Sequence, residues 1–111
     1  MKVYGLGLKG EEAAKRYLRK KGFKILDTNY QCRFGEIDII AENCEYIAFV
    51  EVKTRKADSL VSGEEAVNFK KRERIMLTAE DYITKTLCEL QPRFDVAVVT
   101  VSIRPDGSES Y

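Results

Sequence analysis

Hydrophobic and polar residues recur along this chain with two different periods, and each change of period marks a new element. A helical spacing over residues 6–21, ended by Gly22, predicts a first helix, and a second helix runs from Glu64 or Glu65 to about Thr86. Short runs of β-branched and aromatic residues predict four strands, at Phe23–Tyr30, Glu36–Glu42, Tyr46–Thr54 and Arg93–Ile103. The predicted order is therefore helix, three strands, helix, strand.

The same periodicity assigns an inward face to each helix. In the first helix this face carries Ala14, Tyr17, Leu18 and Lys21. In the second helix it carries Ile75, Ala79, Tyr82 and Ile83. Two glutamates in the first helix precede basic residues by four positions, a spacing that supports a helix through ion pairs, at Glu11–Lys15 and Glu12–Arg16.

The third strand is apolar on both of its faces, which is typical of a central strand covered on both sides. Even-numbered positions from Tyr46 to Val52 form one face, and Ile47 and Phe49 form the other. A tight turn at residues 43–45 makes the first three strands an antiparallel meander, and the helix before the fourth strand allows a right-handed crossover. We expect one α/β domain over residues 1–103, with a central mixed sheet flanked by helices, and a polar tail at 104–111.

Length and composition exclude several classes of protein. With 111 residues the chain fits one domain, and no apolar run approaches the ~18 residues of a membrane span. The absence of histidine excludes serine–histidine and cysteine–histidine catalysis and the zinc sites that need imidazole. Because Cys32, Cys44 and Cys88 are widely spaced and no signal peptide is evident, we expect free thiols and a cytoplasmic protein.

Charge is unevenly distributed, although the net charge is only +1. Residues 9–24 carry an excess of five positive charges, residues 70–74 carry an excess of three, and residues 53–56 add three bases. Residues 36–51 hold five acids and no base. Basic segments around an acidic centre are expected where phosphates are held around a cation site, but ordinary solvated helix faces give the same pattern.

Three charged residues interrupt the strands at positions where a core strand is normally apolar. Glu51 and Lys53 are two residues apart, so they point to the same side of the third strand as Phe49, and Asp38 lies in the neighbouring strand. Two carboxylates with waters and a backbone carbonyl suit Mg²⁺, which can polarise a phosphoryl oxygen. A lysine beside them can orient an attacking water or stabilise negative charge on a phosphate. The alternative is a buried ion-pair cluster of the same three side chains.

Two helix residues are further candidates for the same site. Glu11 shares a helix face with Ala14 and can reach the sheet edge, or it is a surface glutamate paired with Lys15. Lys71 precedes Ile75 by one turn and leans inward, or it is a lysine that snorkels to solvent.

An aspartate followed on the next strand by Glu-x-Lys, within this order of elements, resembles the PD-(D/E)xK nuclease superfamily. More closely, the chain is similar to the YraN-like family of small bacterial proteins, which resemble archaeal Holliday junction resolvases. The stretches that carry the resemblance are Gly10-Glu11, Gly35–Ala41, Phe49–Arg55, Lys71 and Arg93–Val96. The chain departs from the superfamily pattern at Ile37, where a proline is expected before the first acid.

The resemblance implies a restriction-endonuclease-like core and a Mg²⁺- or Mn²⁺-dependent nuclease that acts on DNA, including branched or structured DNA. It makes Asp38 and Glu51 the metal ligands, Lys53 the catalytic lysine, and Glu11 and Lys71 contributors from the two helices. Contacts with DNA are then expected from the basic residues near these positions, Arg55, Lys56, Lys70 and Arg74. A homodimer would match the two-fold symmetry of a junction.

Two alternatives to a nuclease stay open at this point. The first is a nucleic-acid-binding module that has the nuclease fold and no catalysis. The second is a structural or protein-interaction domain in which the charged residues form a buried ion cluster.

Overall fold

A mixed sheet of four long strands and one short edge strand, with one helix on each face, forms the centre of the fold. The computed structural model describes residues 3–56, 69–103 and 109–110, with side chains described for 10–54 and 69–100. Its elements are α1 (Val3–Lys20), β1 (Lys24–Cys32), β2 (Gly35–Glu42), β3 (Tyr46–Lys56), α2 (Phe69–Thr86), β4 (Gln91–Ile103) and β5 (Glu109–Ser110). The predicted order of elements is confirmed. The predicted start of the second helix, at Glu64 or Glu65, lies outside the described residues.

The strands lie side by side in the order β1-β2-β3-β4-β5. β1, β2 and β3 pair antiparallel, which confirms the predicted meander. β3 and β4 run parallel from the pair Tyr46–Gln91 to the pair Lys56–Val101, and parallel strands need a crossover connection, to which α2 belongs. The short β5 pairs with the end of β4 and was not predicted from the sequence pattern.

The turn between β2 and β3 is held by the side chain of Asn43. Its Oδ1 atom accepts hydrogen bonds from the backbone N–H groups of Glu45, at 2.8 Å, and Tyr46, at 2.7 Å. An asparagine that bonds the backbone two and three residues later stabilises a tight turn. Because a hairpin turn sets the register of its strands, Asn43 also determines which residues of β2 and β3 lie opposite each other.

The sheet buries a separate apolar layer on each face. On the α1 side the buried residues are Ala14, Ile39, Ala41, Ala48, Val50 and Val99. On the α2 side they are Ile37, Ile40, Ile47, Phe49 and Ala79. β3 supplies alternate residues to both layers, which confirms that it is a central strand covered on both sides.

Helix α1 packs through a narrower face than the sequence predicted. Ala14 is buried and Leu18 packs on the α1-side layer, whereas Tyr17 is 60% exposed. Lys21 lies beyond the last helical residue, and its Nζ atom is 5.5 Å from the centre of the Tyr17 ring. The prediction that Tyr17 and Lys21 face inward is wrong, because these polar groups keep their hydration at the edge of the face while the small Ala14 makes the close contact.

The end of α1 and the inward face of α2 follow the sequence closely. Gly22 has a φ of 92°, a conformation that glycine adopts without a steric cost, and it ends the helix as predicted. The apolar inward residues of α2 are the four predicted ones, Ile75, Ala79, Tyr82 and Ile83, and the fully buried Thr78, which was not predicted, lies among them. The three cysteines are free thiols, as predicted. In the described part of the chain, no helix combines the length and the apolar character that crossing a membrane requires.

Gly10 marks a close approach between α1 and β3. A Cβ atom on Gly10 would lie 2.0 Å from Oγ1 of Thr54 and 3.2 Å from its Cβ. Glycine inside a helix is less favourable than alanine by about 1 kcal/mol, so the close packing explains why the position lacks a side chain. Thr54 directly follows Lys53, and the contact therefore also fixes the end of β3 that carries the charged residues.

We expect Gly10→Ala to lower the free energy of unfolding by about 1–2 kcal/mol, because the steric overlap outweighs the gain in helix propensity. Urea denaturation followed by circular dichroism measures this change. Thr54→Ala removes the overlapping hydroxyl, so Gly10→Ala should cost less in a Thr54→Ala background. An equal cost in both backgrounds would show that this contact does not constrain the helix.

Candidate functional site

β2 and β3 separate at the position of Asp38. Their backbone pairing ends at Ile39–Val50. The same register would set Asp38 opposite Glu51, but Oδ2 of Asp38 instead accepts a hydrogen bond from the backbone N–H of Val52 at 2.8 Å. The carboxylate therefore takes the place of a backbone carbonyl of β2 as the partner of β3.

The side-chain alternation of β2 also breaks at Asp38. Ile37 belongs to the apolar layer on the α2 side, whereas Ile39 belongs to the layer on the α1 side. Residues two apart in a regular strand point to the same face, so the backbone between these two isoleucines is irregular. This irregularity allows the Asp38 carboxylate to turn toward the neighbouring strand.

Glu51 and Lys53 lie on the same side of β3, as their spacing predicted, and Lys71 reaches them from α2. Oε2 of Glu51 is 3.3 Å from Nζ of Lys53 and 2.5 Å from Nζ of Lys71. The side chain of Glu51 is only 12% exposed, so both ion pairs are shielded from bulk water. Of the two orientations considered for Lys71, the structure has the inward one.

Burial and neighbouring negative charges change the protonation of Asp38. Its pKa is raised from an ordinary value of 3.8 to about 6, first by burial and then by the carboxylates of Glu51, Glu11 and Glu36. The hydrogen bond from Val52 N–H acts in the opposite direction, because it favours the charged form. Three other carboxylates therefore interact with that of Asp38, and a positive charge among the four would reduce their repulsion.

The two lysines at Glu51 differ in how firmly they hold their protons. Burial lowers the pKa of Lys53, and the adjacent Lys71 lowers it further, while Glu51 acts against both effects. Burial is the largest single influence on the pKa of Lys71 and acts to lower it, but the hydrogen bond to Glu51, the contact with Lys53 and the negative charges of Glu51 and Asp38 together outweigh it, so the pKa of Lys71 is raised. Lys71 therefore stays charged, and Lys53 releases its proton more readily than a solvated lysine does.

Glu11 approaches the site from α1 through a contact with Asn29. The Asn29 amide donates a hydrogen bond to the Glu11 carboxylate, and Glu11 is near enough to help raise the pKa of Asp38. The suggested pairing of Glu11 with Lys15 is wrong, because Lys15 bonds Oε2 of Glu12 at 2.6 Å. Glu11 is therefore adjacent to the carboxylate side of the site, and it is separate from the Glu51 ion pairs.

The basic residues predicted to contact DNA fall into two groups. Lys70 and Arg74 are exposed on α2, where a ligand from solvent can reach them. The side chains of Arg55 and Lys56 lie outside the described residues.

Asn29 is a residue next to the site that sequence analysis missed. It lies inside β1 and has a φ of 54°, in the left-handed region. Asparagine is depleted in strands, and it tolerates the left-handed conformation better than most residues. An asparagine in the middle of a predicted strand was therefore the available signal.

A cleft of about 540 Å³ begins at Glu51 and runs between α2 and β4. Its lining is mainly apolar and includes Phe49, Ile75, Met76, Phe94, Val96 and Val98, with Arg72 and Asp95 as further polar members. Phe94 stacks on Phe49 with 5.6 Å between ring centres. The cleft gives ligands from solvent a route to the Glu51 carboxylate.

The acidic residues of the site are too dispersed to enclose a metal ion by themselves. Within the described ranges 3–56, 69–103 and 109–110, no group of three histidine, cysteine or acidic side chains is close enough to hold one. Asp38 and Glu51 offer two carboxylates at most, so an ion at this position would need waters or a substrate for its other ligands.

Asp38→Asn tests what burial of this carboxylate costs the fold. The folded-state pKa of about 6 lies above the ordinary 3.8, so the folded state binds the proton more tightly than the unfolded state does. The proton on Asp38 therefore stabilises the folded state relative to the unfolded state. This stabilisation is fully present below pH 3.8 and is lost as the pH rises through the folded-state pKa of about 6. We expect the uncharged variant to be more stable than wild type by about 1–2 kcal/mol near pH 8, allowing for solvent screening.

Thermal unfolding in EDTA across this pH range measures the difference, which should disappear toward about pH 4 because wild-type Asp38 is then protonated. Asp27→Asn, at an exposed position of β1, is the matched control and should not be more stable than wild type near pH 8, because it relieves no buried charge. A variant less stable than wild type near pH 8 would mean that the charged carboxylate stabilises the fold.

Comparison with known proteins identifies a family and no activity. The sequence model described as "Uncharacterised protein family UPF0102" matches residues 10–99. A UPF0102 protein of Clostridium acetobutylicum is 47% identical over 99 residues, which cover 88% of this chain and 81% of that protein. A UPF0102 protein of Syntrophomonas wolfei is 43% identical over 107 residues, covering 95% of this chain and 89% of that protein. The family match includes Glu11, Asp38, Glu51, Lys53 and Lys71.

Proposed function

We propose a function for this chain from two premises: it belongs to the uncharacterised protein family UPF0102, and it gathers two carboxylates and two lysines where β2 and β3 separate. The proposed function is hydrolysis of phosphodiester bonds in DNA by a divalent-metal-dependent nuclease. The observation that carries it is the Asp38 carboxylate, which bonds the backbone N–H of Val52 and interacts electrostatically with Glu51, together with the ion pairs of Lys53 and Lys71 with Glu51. This arrangement has the order of the PD-(D/E)xK motif that the sequence resembles.

The donor chemistry of the site fits Mg²⁺ or Mn²⁺. Both ions prefer oxygen ligands, and Mg²⁺ is commonly held by one or two carboxylates together with waters and substrate phosphates. The repulsion that raises the pKa of Asp38 would be relieved by a cation between Asp38 and Glu51. When bound, such an ion supplies Lewis-acid polarisation of a phosphoryl oxygen.

The two lysines would have different catalytic roles, because they differ in how readily they release a proton. The lowered pKa of Lys53 makes its Nζ atom the better group for orienting the attacking water and exchanging a proton with it. Lys71 holds its charge and would stabilise the negative charge that develops on the phosphate. Glu51 keeps both ammonium groups within reach of the same point.

DNA would be held around this point through its phosphates. Lys70 and Arg74 on α2, with Arg55 and Lys56 at the end of β3, would supply sequence-independent contacts that weaken with salt. Branched or four-way DNA is the substrate class that the resemblance to junction resolvases implies, and a homodimer would bring two sites to such a symmetric substrate. The free thiols suit the reducing cytoplasm, where we expect the protein to act.

A second candidate is a nucleic-acid-binding module without catalysis. The observation that favours it is the pairing of Glu51 with two lysines. These ion pairs offset the charge of Glu51 without any metal ion. A protein of this kind would keep the basic surface, bind DNA with a clear dependence on salt and show no metal-dependent turnover.

Cleavage assays with plasmid, linear duplex and four-way-junction DNA separate the two candidates. We expect cleavage in Mg²⁺ or Mn²⁺, none in EDTA, and a loss of about 100-fold or more in Asp38→Asn, Glu51→Gln and Lys53→Met, because each removes a group that acts on the phosphate. Glu80→Gln on the exposed part of α2 is the matched control and should cleave like wild type.

Binding of the same DNAs, measured by fluorescence anisotropy at several salt concentrations, completes the comparison. Equal background cleavage by wild type, Asp38→Asn and Glu51→Gln, together with salt-dependent DNA binding, would reject the nuclease and support the binding module. Negligible binding at physiological salt in addition would reject both candidates.

A further inference from the structure

The backbone of Asn29 is unusual for a residue within a strand. Its φ of 54° lies in the left-handed region, although β1 continues on both sides of it. Few residues other than glycine adopt this conformation, and asparagine is among those that do so at low cost. Backbone strain of this kind persists when the surrounding structure requires it, and it clusters at functional sites.

The position of Asn29 in the sheet is directly across from Asp38. Thr28 is paired with Ile39 and Tyr30 is paired with Ile37, so the intervening Asn29 lies opposite Asp38. Asp38 is thus flanked by irregular backbone in β1 and by the end of the β2–β3 pairing. The left-handed residue and the turned carboxylate occur at one level of the sheet.

The side chain of Asn29 joins two carboxylates that belong to different elements. The nitrogen and oxygen of an amide are told apart by their hydrogen bonds. With its nitrogen toward the acids, Asn29 donates to Oε2 of Glu11 and to Oε2 of Glu36, each at 3.2 Å. In the reverse orientation the amide oxygen would face only other acceptors. The amide nitrogen would still donate a hydrogen bond to Oε1 of Glu11, at 3.4 Å. The contact between Asn29 and Glu11 therefore exists in either orientation.

Glu11 depends on this contact more than Glu36 does. Glu36 is in β2, two residues from Asp38, so its distance from the site is set by the strand. Glu11 comes from α1, which packs on one face of the sheet, and its long side chain has several rotamers of similar energy. The Asn29 amide selects the rotamers that keep Glu11 beside the other carboxylates, against their mutual repulsion.

We propose that Asn29 is a positioning residue that holds the Glu11 carboxylate next to Asp38 and thereby strengthens binding of a divalent cation at the site. The inference rests on the proposed metal-dependent function and assigns one determinant of its cation affinity. The physical basis is that hard cations bind more tightly as more carboxylate charge is held rigidly around them. Removal of groups that orient metal-binding side chains weakens affinity even when the ligands themselves are unchanged.

Mn²⁺ binding measured by electron paramagnetic resonance tests the role without any need for catalysis. Asn29→Gly keeps the left-handed conformation and removes the amide, so we expect Mn²⁺ affinity to fall about tenfold while the melting temperature changes little. Glu11→Gln should weaken Mn²⁺ to a similar extent. Because Asn29 acts through Glu11, adding Asn29→Gly to Glu11→Gln should then change the affinity by less than about twofold.

Each result of this series decides one part of the proposal. Wild-type Mn²⁺ affinity in Asn29→Gly or in Glu11→Gln would overturn the positioning role. The role would also be overturned if Asn29→Gly lowered Mn²⁺ affinity equally in the wild-type and the Glu11→Gln backgrounds. Asp38→Asn separates this failure from that of the site, since it should abolish Mn²⁺ binding even if Asn29 has no role. Unchanged Mn²⁺ binding in Asp38→Asn would reject the metal site and, with it, the role of Asn29.

Discussion

The hydrogen bond from Val52 N–H to the Asp38 carboxylate is the interaction on which the candidate site depends. It forms where the backbone pairing of β2 and β3 ends, so it connects two strands that have already begun to separate. Without it, a partly buried N–H of β3 would lack its partner, at a cost of about 1–3 kcal/mol. The bond also holds the Asp38 carboxylate close enough to Glu51 for their charges to interact, just beyond the end of a register that the Asn43 turn sets. Charged side chains therefore come together where the backbone pairing of β2 and β3 ends.

The charged groups of the candidate site are arranged so that ligands from solvent could replace their present ion-pair partners. Glu51 is neutralised by two lysines from different elements, while Asp38 is surrounded by carboxylates and holds its proton up to about pH 6. A phosphate would attract the same lysines, and a divalent cation would attract the same carboxylates. In the free protein these charged groups pair with each other, and a phosphate and a metal ion could together replace those internal ion pairs. A purely structural ion cluster would have no need for partners that can be replaced.

Each face of the sheet contributes a different part of this arrangement. α1 approaches β3 closely at Gly10 and brings Glu11 toward Asn29 and Asp38. α2 brings Lys71 to Glu51 and forms one wall of the cleft that starts there. Glu11 thus comes from α1 and Asp38 and Glu36 come from β2, whereas Glu51 and the two ammonium groups come from β3 and α2. A site divided in this way depends on the packing of both helices, although its charged centre lies in two strands.

Local periodicity was sufficient to predict the order of elements, the central position of β3, the inward face of α2 and the shared side of Glu51 and Lys53. The reason is that side-chain direction repeats with the local backbone geometry of a helix or a strand. The exposure of Tyr17, the short β5, the left-handed Asn29 and the bond from Val52 to Asp38 were not predicted, because each depends on segments distant in the chain. The sequence by itself determined which charged residues enter the sheet and which way those on β3 point. Only the tertiary structure decided which partner each one has, because hydrogen bonds and ion pairs are set by distances between elements that no local pattern contains.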